Sequence, residues 1–167
     1  RERAGEILDG LPIGEEFNWV RSVSVELTAQ MLATLFDIPQ EDRMKLILWS
    51  DTSQNIGDPE YFETPEEGFQ ILFECHSYFQ QLYDQRKTEP LKFDLISMLA
   101  HDESTNNMSP QELLGNILLL IVGGNDTTRN SISGGVLALN QNPAEYEKLT
   151  QNPGLIPKMV QIGRASC

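Results

Sequence analysis

The longest helical pattern in the chain constrains most strongly what it can fold into. Ser109-Pro110-Gln111-Glu112 is a helix start signal, with a hydroxyl at the N-cap, proline at the first helical position and a glutamate three residues after the cap. Helical spacing then continues to about Asn140, roughly 45 Å of helix at 1.5 Å rise per residue. An element that long and that apolar is expected to cross the body of a domain. Its most apolar stretch, Ile117-Leu118-Leu119-Leu120-Ile121-Val122, falls far short of the roughly 20 residues that a membrane span needs. It therefore predicts a buried helix segment and no membrane span.

Apolar residues recur at helical spacing elsewhere too, and no run alternates as a strand would, so the fold is expected to be mainly α. Val23, Leu27, Gln30, Met31, Thr34 and Leu35 mark one helical face, and Asp37-Ile38-Pro39 stops that helix. A second helix is expected from about Glu41 to Ser53, followed by a loop at Gly57-Asp58-Pro59. Thr64-Pro65-Glu66-Glu67 repeats the start signal, with a capping-box glutamate, for a long helix reaching about Lys87. Asp94 to Ala100 predicts a short helix, His101 to Met108 a polar loop, and Asn142-Pro143-Ala144-Glu145 a further short helix, with one more starting at Pro157. There is no internal repeat and no linker that divides the sequence.

A chain of 167 residues with 40% apolar content can build a core. The 25 acidic against 12 basic residues give a net charge of −13, which repels phosphate backbones and anionic lipid headgroups and argues against nucleic acid and membrane surfaces as partners. Cys75 and Cys167 form no CxxC pair and are too few for a disulfide framework, which suits a reducing cytoplasm. No signal peptide follows the charged start Arg1-Glu2-Arg3-Ala4, and the lack of an initiator methionine predicts a piece of a longer protein.

The apolar run ends at Gly123-Gly124-Asn125-Asp126-Thr127-Thr128. Every residue there is a poor choice for a buried helix interior. Each glycine costs about 1 kcal/mol relative to alanine, an aspartate pays for desolvation unless partnered, and threonine hydroxyls bond back to the preceding turn and bend the helix. Local rules broken together suggest a site. The column Gly123, Thr127, Ser131 and Gly135 lacks bulk, leaving room for something flat or small. The bland reading stands beside this one: small residues let another helix pack closely, and Asp126 pairs with Arg129 one turn along.

Those six residues resemble the signature of the long central helix in cytochrome P-450 enzymes, which reads alanine or glycine, glycine, any residue, acid, threonine, threonine. The resemblance extends nearly to Val160. Glu26-Leu27-Thr28-Ala29-Gln30-Met31-Leu32-Ala33-Thr34-Leu35-Phe36, Asp94-Leu95-Ile96-Ser97-Met98-Leu99-Ala100-His101, and the run from Leu114 through Asn142-Pro143 are similar to the bacterial alkane-hydroxylating members. The resemblance implies that residues 1–160 are an internal portion of that fold, including its oxygen-activating helix and lacking the C-terminal haem-ligand region. It implies a haem b cofactor against the central helix, Asp126 and Thr127 as the catalytic acid and alcohol that deliver protons during oxygen activation, and Gly123 and Gly124 at the oxygen pocket. Leu119 and Val122, one turn earlier, would face the same cavity as substrate contacts, although ordinary core packing is the commoner reason for either residue alone.

The family holds iron through a cysteine near its C-terminus, preceded by a Glu-x-x-Arg helix, and neither motif occurs here. Cys75 sits in a predicted amphipathic helix as a partly buried structural cysteine, His76 is expected to be a surface or satisfied histidine, and no His, Cys or carboxylate cluster has metal-ligand spacing. The tail Gln161-Ile162-Gly163-Arg164-Ala165-Ser166-Cys167 departs from the family and is expected to be of vector or frameshift origin. The parent enzyme is expected to be a cytoplasmic monooxygenase that inserts one oxygen atom from O₂ into an aliphatic C–H bond, as in terminal hydroxylation of medium-chain alkanes. Its electrons would come from NAD(P)H only indirectly, through a ferredoxin and ferredoxin reductase, and the isolated fragment is expected to be inactive. The alternative is a non-catalytic α-helical interaction domain, which predicts an exposed or ion-paired Asp126 and a substitutable Thr127.

Overall fold

A computed structural model describes residues 1–165, with side chains to residue 161. Among the described residues the regular structure is all helical: α1 (Glu2–Asp9), a π-helical turn (Val20–Val25), α2 (Glu26–Phe36), α3 (Arg43–Asn55), α4 (Pro65–Thr88), α5 (Leu95–His101), α6 (Pro110–Gln141), α7 (Pro143–Gln151) and α8 (Ile156–Ala165). The mainly α expectation holds, and no described helix is long and apolar enough to cross a membrane. The charged segment α1 and the π-helical turn were not expected. Backbone helix α8 continues across the boundary placed at residues 160 and 161, and Cys167 lies outside the described residues.

Helix starts follow the capping chemistry unevenly. At α6 the box is complete: the Ser109 backbone N–H donates to the Glu112 carboxylate at 2.7 Å, and the Glu112 N–H donates to the Ser109 hydroxyl at 3.3 Å. Hydrogen bonding from the Ser109 backbone, and then from its side chain, holds the Glu112 carboxyl below its usual range. Asp94 caps α5 by accepting from the Ser97 N–H at 2.7 Å. At α4 the expected box does not form, because Thr64 makes no side-chain cap and the Glu67 carboxylate instead accepts from the N–H of Glu63 at 3.3 Å.

The chain divides into two compact units, residues 29–125 and residues 1–28 together with those from 126 onward, and the divisions fall within α2 and α6 rather than in loops. The central unit has a continuous core from Leu32, Ala33 and Phe36 of α2, Leu46 and Trp49 of α3, Cys75, Phe79 and Tyr83 of α4, Ile96 and Ala100 of α5, and Leu113, Ile117 and Ile121 of α6. Phe79 is its aromatic hub, with ring centroids 5.3 Å from Phe36, 5.5 Å from Trp49 and 5.5 Å from Tyr78; such pairs add stabilisation beyond their buried area.

The buried face of α2 is not the expected one. Met31, Thr34 and Leu35 are exposed, whereas Thr28, Ala29, Leu32, Ala33 and Phe36 are buried. This helix is apolar nearly all round, so hydrophobicity alone does not choose a side. The side that packs carries Ala29 and Ala33, both fully buried. Helix α2 ends in a Schellman arrangement, with Ile38 N–H donating to the Ala33 carbonyl at 2.9 Å and Asp37 N–H to that of Thr34 at 3.2 Å. Asp37 takes the left-handed position, φ 52°.

Asp37 also meets Arg86, which is buried in the same unit. The guanidinium lies 2.7 Å from the Asp37 carboxylate, 2.8 Å from that of Glu89 and 3.7 Å from the buried Asp94. Burying a cation is costly unless it is paired, and three carboxylates drawn from separate segments supply the pairing. In the other unit, Thr28 Oγ1 donates to the carbonyls of Ser24 and Val25, each at 3.0 Å, and Ser133 Oγ donates to the buried Ser24 Oγ at 2.8 Å.

Candidate functional site

Position around α6 decides what each of its side chains meets. Leu113, Ile117, Ile121 and Asn125 are spaced by four and buried, so they define the inward stripe. At about 100° per residue, Leu119, Val122 and Gly123 fall on the opposite half. Leu119 is 72% exposed and Val122 is partly buried. The expectation of a buried segment from Ile117 to Val122 thus holds for one stripe only.

The two glycines face different surroundings. A Cβ on Gly123 would meet nothing within 4 Å, whereas one on Gly124 would come within 2.8 Å of Leu32 Cδ2. Gly123 leaves open space on the outer face; Gly124 permits close approach of α2. Asn125 follows on the inward stripe, fully buried, and donates from its amide to Ser50 Oγ of α3 at 3.2 Å.

Next along the helix, the Asp126 carboxylate pairs with Arg129 at 2.8 Å, both side chains being largely but not wholly removed from solvent. Thr127 is exposed, and its carbonyl accepts from the Ser131 hydroxyl at 2.7 Å. A hydroxyl bonding back to the preceding turn loosens the regular ladder and favours bending. The helix therefore carries, within five residues, an open glycine, an acid held by a cation, and an exposed alcohol.

Elsewhere, Cys75 is not partly buried as expected but fully buried, and burial pushes its thiol up to about 12. It is a core side chain in its protonated form and is unsuited to thiolate ligation. Nor is His76 a satisfied histidine, because its buried Nε2 meets no hydrogen-bond partner. Among the described residues no group of three or more His, Cys, Asp or Glu is placed to hold a metal ion.

The described residues thus form a helical core beside one long helix that carries an ion-paired acid, an exposed alcohol and a bare glycine face. No protein-family model matches the chain. Individual relatives do. The chain is 32% identical over 157 residues to a linalool 8-monooxygenase of Pseudomonas putida, covering 93% of this chain and 38% of that protein. A solved cytochrome P450-153 from Novosphingobium aromaticivorans superposes with TM-score 0.82 at 46% identity, over 93% of this chain and 37% of that one. The P450BioI structure in complex with an acyl carrier protein gives TM-score 0.82 at 29% identity, over 97% and 42%. The chain belongs to the cytochrome P450 family. It spans between 30% and 40% of the length of the curated relatives it matches.

The family implies haem, and the described residues suit one side of it. Open space at Gly123, with exposed Leu119 one turn before it, gives an uncrowded apolar helix face on which a planar group can lie. The described residues would offer a face to such a group; the buried thiol of Cys75 does not suit it as a thiolate ligand.

Two residues of this region escaped sequence reasoning. Asn125 occupies the unspecified position of the signature, yet it continues the four-residue spacing of Leu113, Ile117 and Ile121 and is a poor helix former. That combination was a readable signal. Its partner Ser50, an ordinary serine within a helix, carried none.

Proposed function

We propose that this chain is the oxygen-activating portion of a haem-dependent monooxygenase that inserts one atom of O₂ into an aliphatic C–H bond. The observation that carries the reading is the turn from Gly123 to Thr127, where an open glycine face is followed at once by the ion-paired Asp126 and the exposed Thr127. Haem, when bound, supplies oxygen activation and the oxidising power for the C–H bond. The residues of this chain supply space and protons: Gly123 and Gly124 border the oxygen pocket, and Leu119 and Val122 contact substrate. Asp126 exchanges Arg129 for solvent and passes a proton inward, and the Thr127 hydroxyl donates it and holds a water in place. Terminal hydroxylation of medium-chain alkanes is the finer reading, supported by 46% identity to the P450-153 structure. A soluble ferredoxin and its reductase deliver electrons from NAD(P)H. Residues 1–160 form part of the monooxygenase domain and residues 161–167 are foreign to it.

One observation favours a second reading. The Asp126–Arg129 pair, 2.8 Å apart within one helix, is also what a non-catalytic packing helix would show. Thr127→Ala measured beside the parent full-length protein separates the two. Proton delivery by Thr127 predicts continued oxygen consumption with hydrogen peroxide replacing product; unchanged coupling of oxygen to product would remove Thr127 from proton delivery, and only a full-length protein that consumes no oxygen would favour the interaction-domain reading.

A further inference from the structure

The amide of Asn125 and the hydroxyl of Ser50 are both fully buried, on α6 and α3, and bond to each other at 3.2 Å. Polar groups at such positions are costly unless satisfied, and two apolar side chains of similar size would fill the space at no polar cost. One residue earlier, Leu32 Cδ2 of α2 lies 2.8 Å from where a Cβ of Gly124 would be. Helix α6 is thus held at consecutive residues from two sides, by steric contact at Gly124 and by a directional bond at Asn125. Dispersion contacts tolerate small rotations about a helix axis, whereas a hydrogen bond weakens steeply as its angle departs from linear. The bond therefore fixes the rotational phase of α6 at the turn holding Gly123 and Gly124.

We infer that Asn125, through Ser50, is a positioning residue for oxygen activation: the pair sets the phase of α6 at the glycine turn that borders the oxygen pocket. This rests on the monooxygenase reading proposed above.

The test uses the full-length enzyme with Ser50→Ala, Asn125→Leu and the double variant. Ser50→Ala removes a single oxygen atom and is the mildest probe of the pair. Each single change is expected to quicken amide hydrogen exchange over residues 121–125 by roughly fivefold, in line with one lost hydrogen bond. Each should also raise the peroxide formed per product several-fold. The double variant makes the contact apolar on both sides, so its thermal midpoint should return toward the parent while peroxide stays high. Recovery of coupling together with stability would show that the bond is only structural and overturn the inference, as would singles with unchanged exchange. Thr127→Ala measured alongside keeps the outcomes apart: if it uncouples and the Ser50 and Asn125 variants do not, the enzyme reading stands and this inference falls, and if the parent protein forms no product at all, the enzyme reading itself fails.

Discussion

Replacing Gly124 with alanine tests whether that glycine exists for packing. The added methyl would sit 2.8 Å from Leu32 Cδ2, well inside van der Waals contact. Leu32 is itself buried in the core, so it cannot swing away without displacing neighbours. Overpacking of this kind costs about 1–3 kcal/mol, against a gain of about 1 kcal/mol from replacing glycine inside a helix, leaving a net loss of about 0–2 kcal/mol. Gly123→Ala is the internal control. Its methyl meets nothing within 4 Å among the described residues, so in the haem-free protein the propensity gain of about 1 kcal/mol should appear undiminished. Urea titrations of the two variants of the full-length protein, followed by far-UV circular dichroism, should place Gly123→Ala above Gly124→Ala by about 1–3 kcal/mol. Trimming Leu32 to alanine costs about 2–5 kcal/mol alone but should cost at least about 1 kcal/mol less in the Gly124→Ala background. Equal midpoints for the two alanine variants, or strict additivity with Leu32→Ala, would refute the steric argument.

Arg86→Met should lower stability by about 3–5 kcal/mol, read as a fall in denaturant midpoint, because Asp94 would stay buried without its cation. Cys75, with its thiol pushed up to about 12 by burial, should resist iodoacetamide at pH 8 in the native protein and alkylate readily in urea, as mass spectrometry would register. Hydrogen bonds from Lys92, Gln85 and Arg86 hold the Glu89 carboxyl down at about 2 against an ordinary 4.5. A carboxyl depressed in the folded state stabilises above its unfolded value and loses that contribution as the pH falls through its folded value. Glu89→Gln should therefore flatten the acid limb of the stability profile between pH 4.5 and about 2, and an unchanged limb would remove Glu89 from the account.

Helix starts were legible wherever a side chain had a single local job. Ser109 and Glu112 close the box that their spacing promises, and Asp94 caps α5. The same pattern at Thr64 went unused, because a neighbouring backbone N–H captured Glu67, a competition that spacing does not reveal. The face of α2 was illegible for a different reason: Ala29 and Ala33 are buried by close approach of their neighbours, not by their own weak hydrophobicity. Within the candidate site, the motif announced the turn but not its directions. Gly123 and Gly124 read alike in sequence, and only three-dimensional packing separates open space from a close contact. The spacing of Asn125 was readable, but its partner Ser50, 75 positions away, was not.

Asp37 answers two demands at once, and few side chains can. Its backbone sits at φ 52°, where most residues are strained and glycine or asparagine is at ease, while its carboxylate reaches the buried Arg86 at 2.7 Å. Glycine would relax the turn and strand the arginine; glutamate would keep the charge and resist the turn. Asparagine, the conformational twin, would keep the shape without the charge. The tolerance of this position to mutation should therefore be unusually narrow for an exposed turn, and a saturation library would find it constrained by chain geometry and ion pairing together, with neither alone predicting which residues survive.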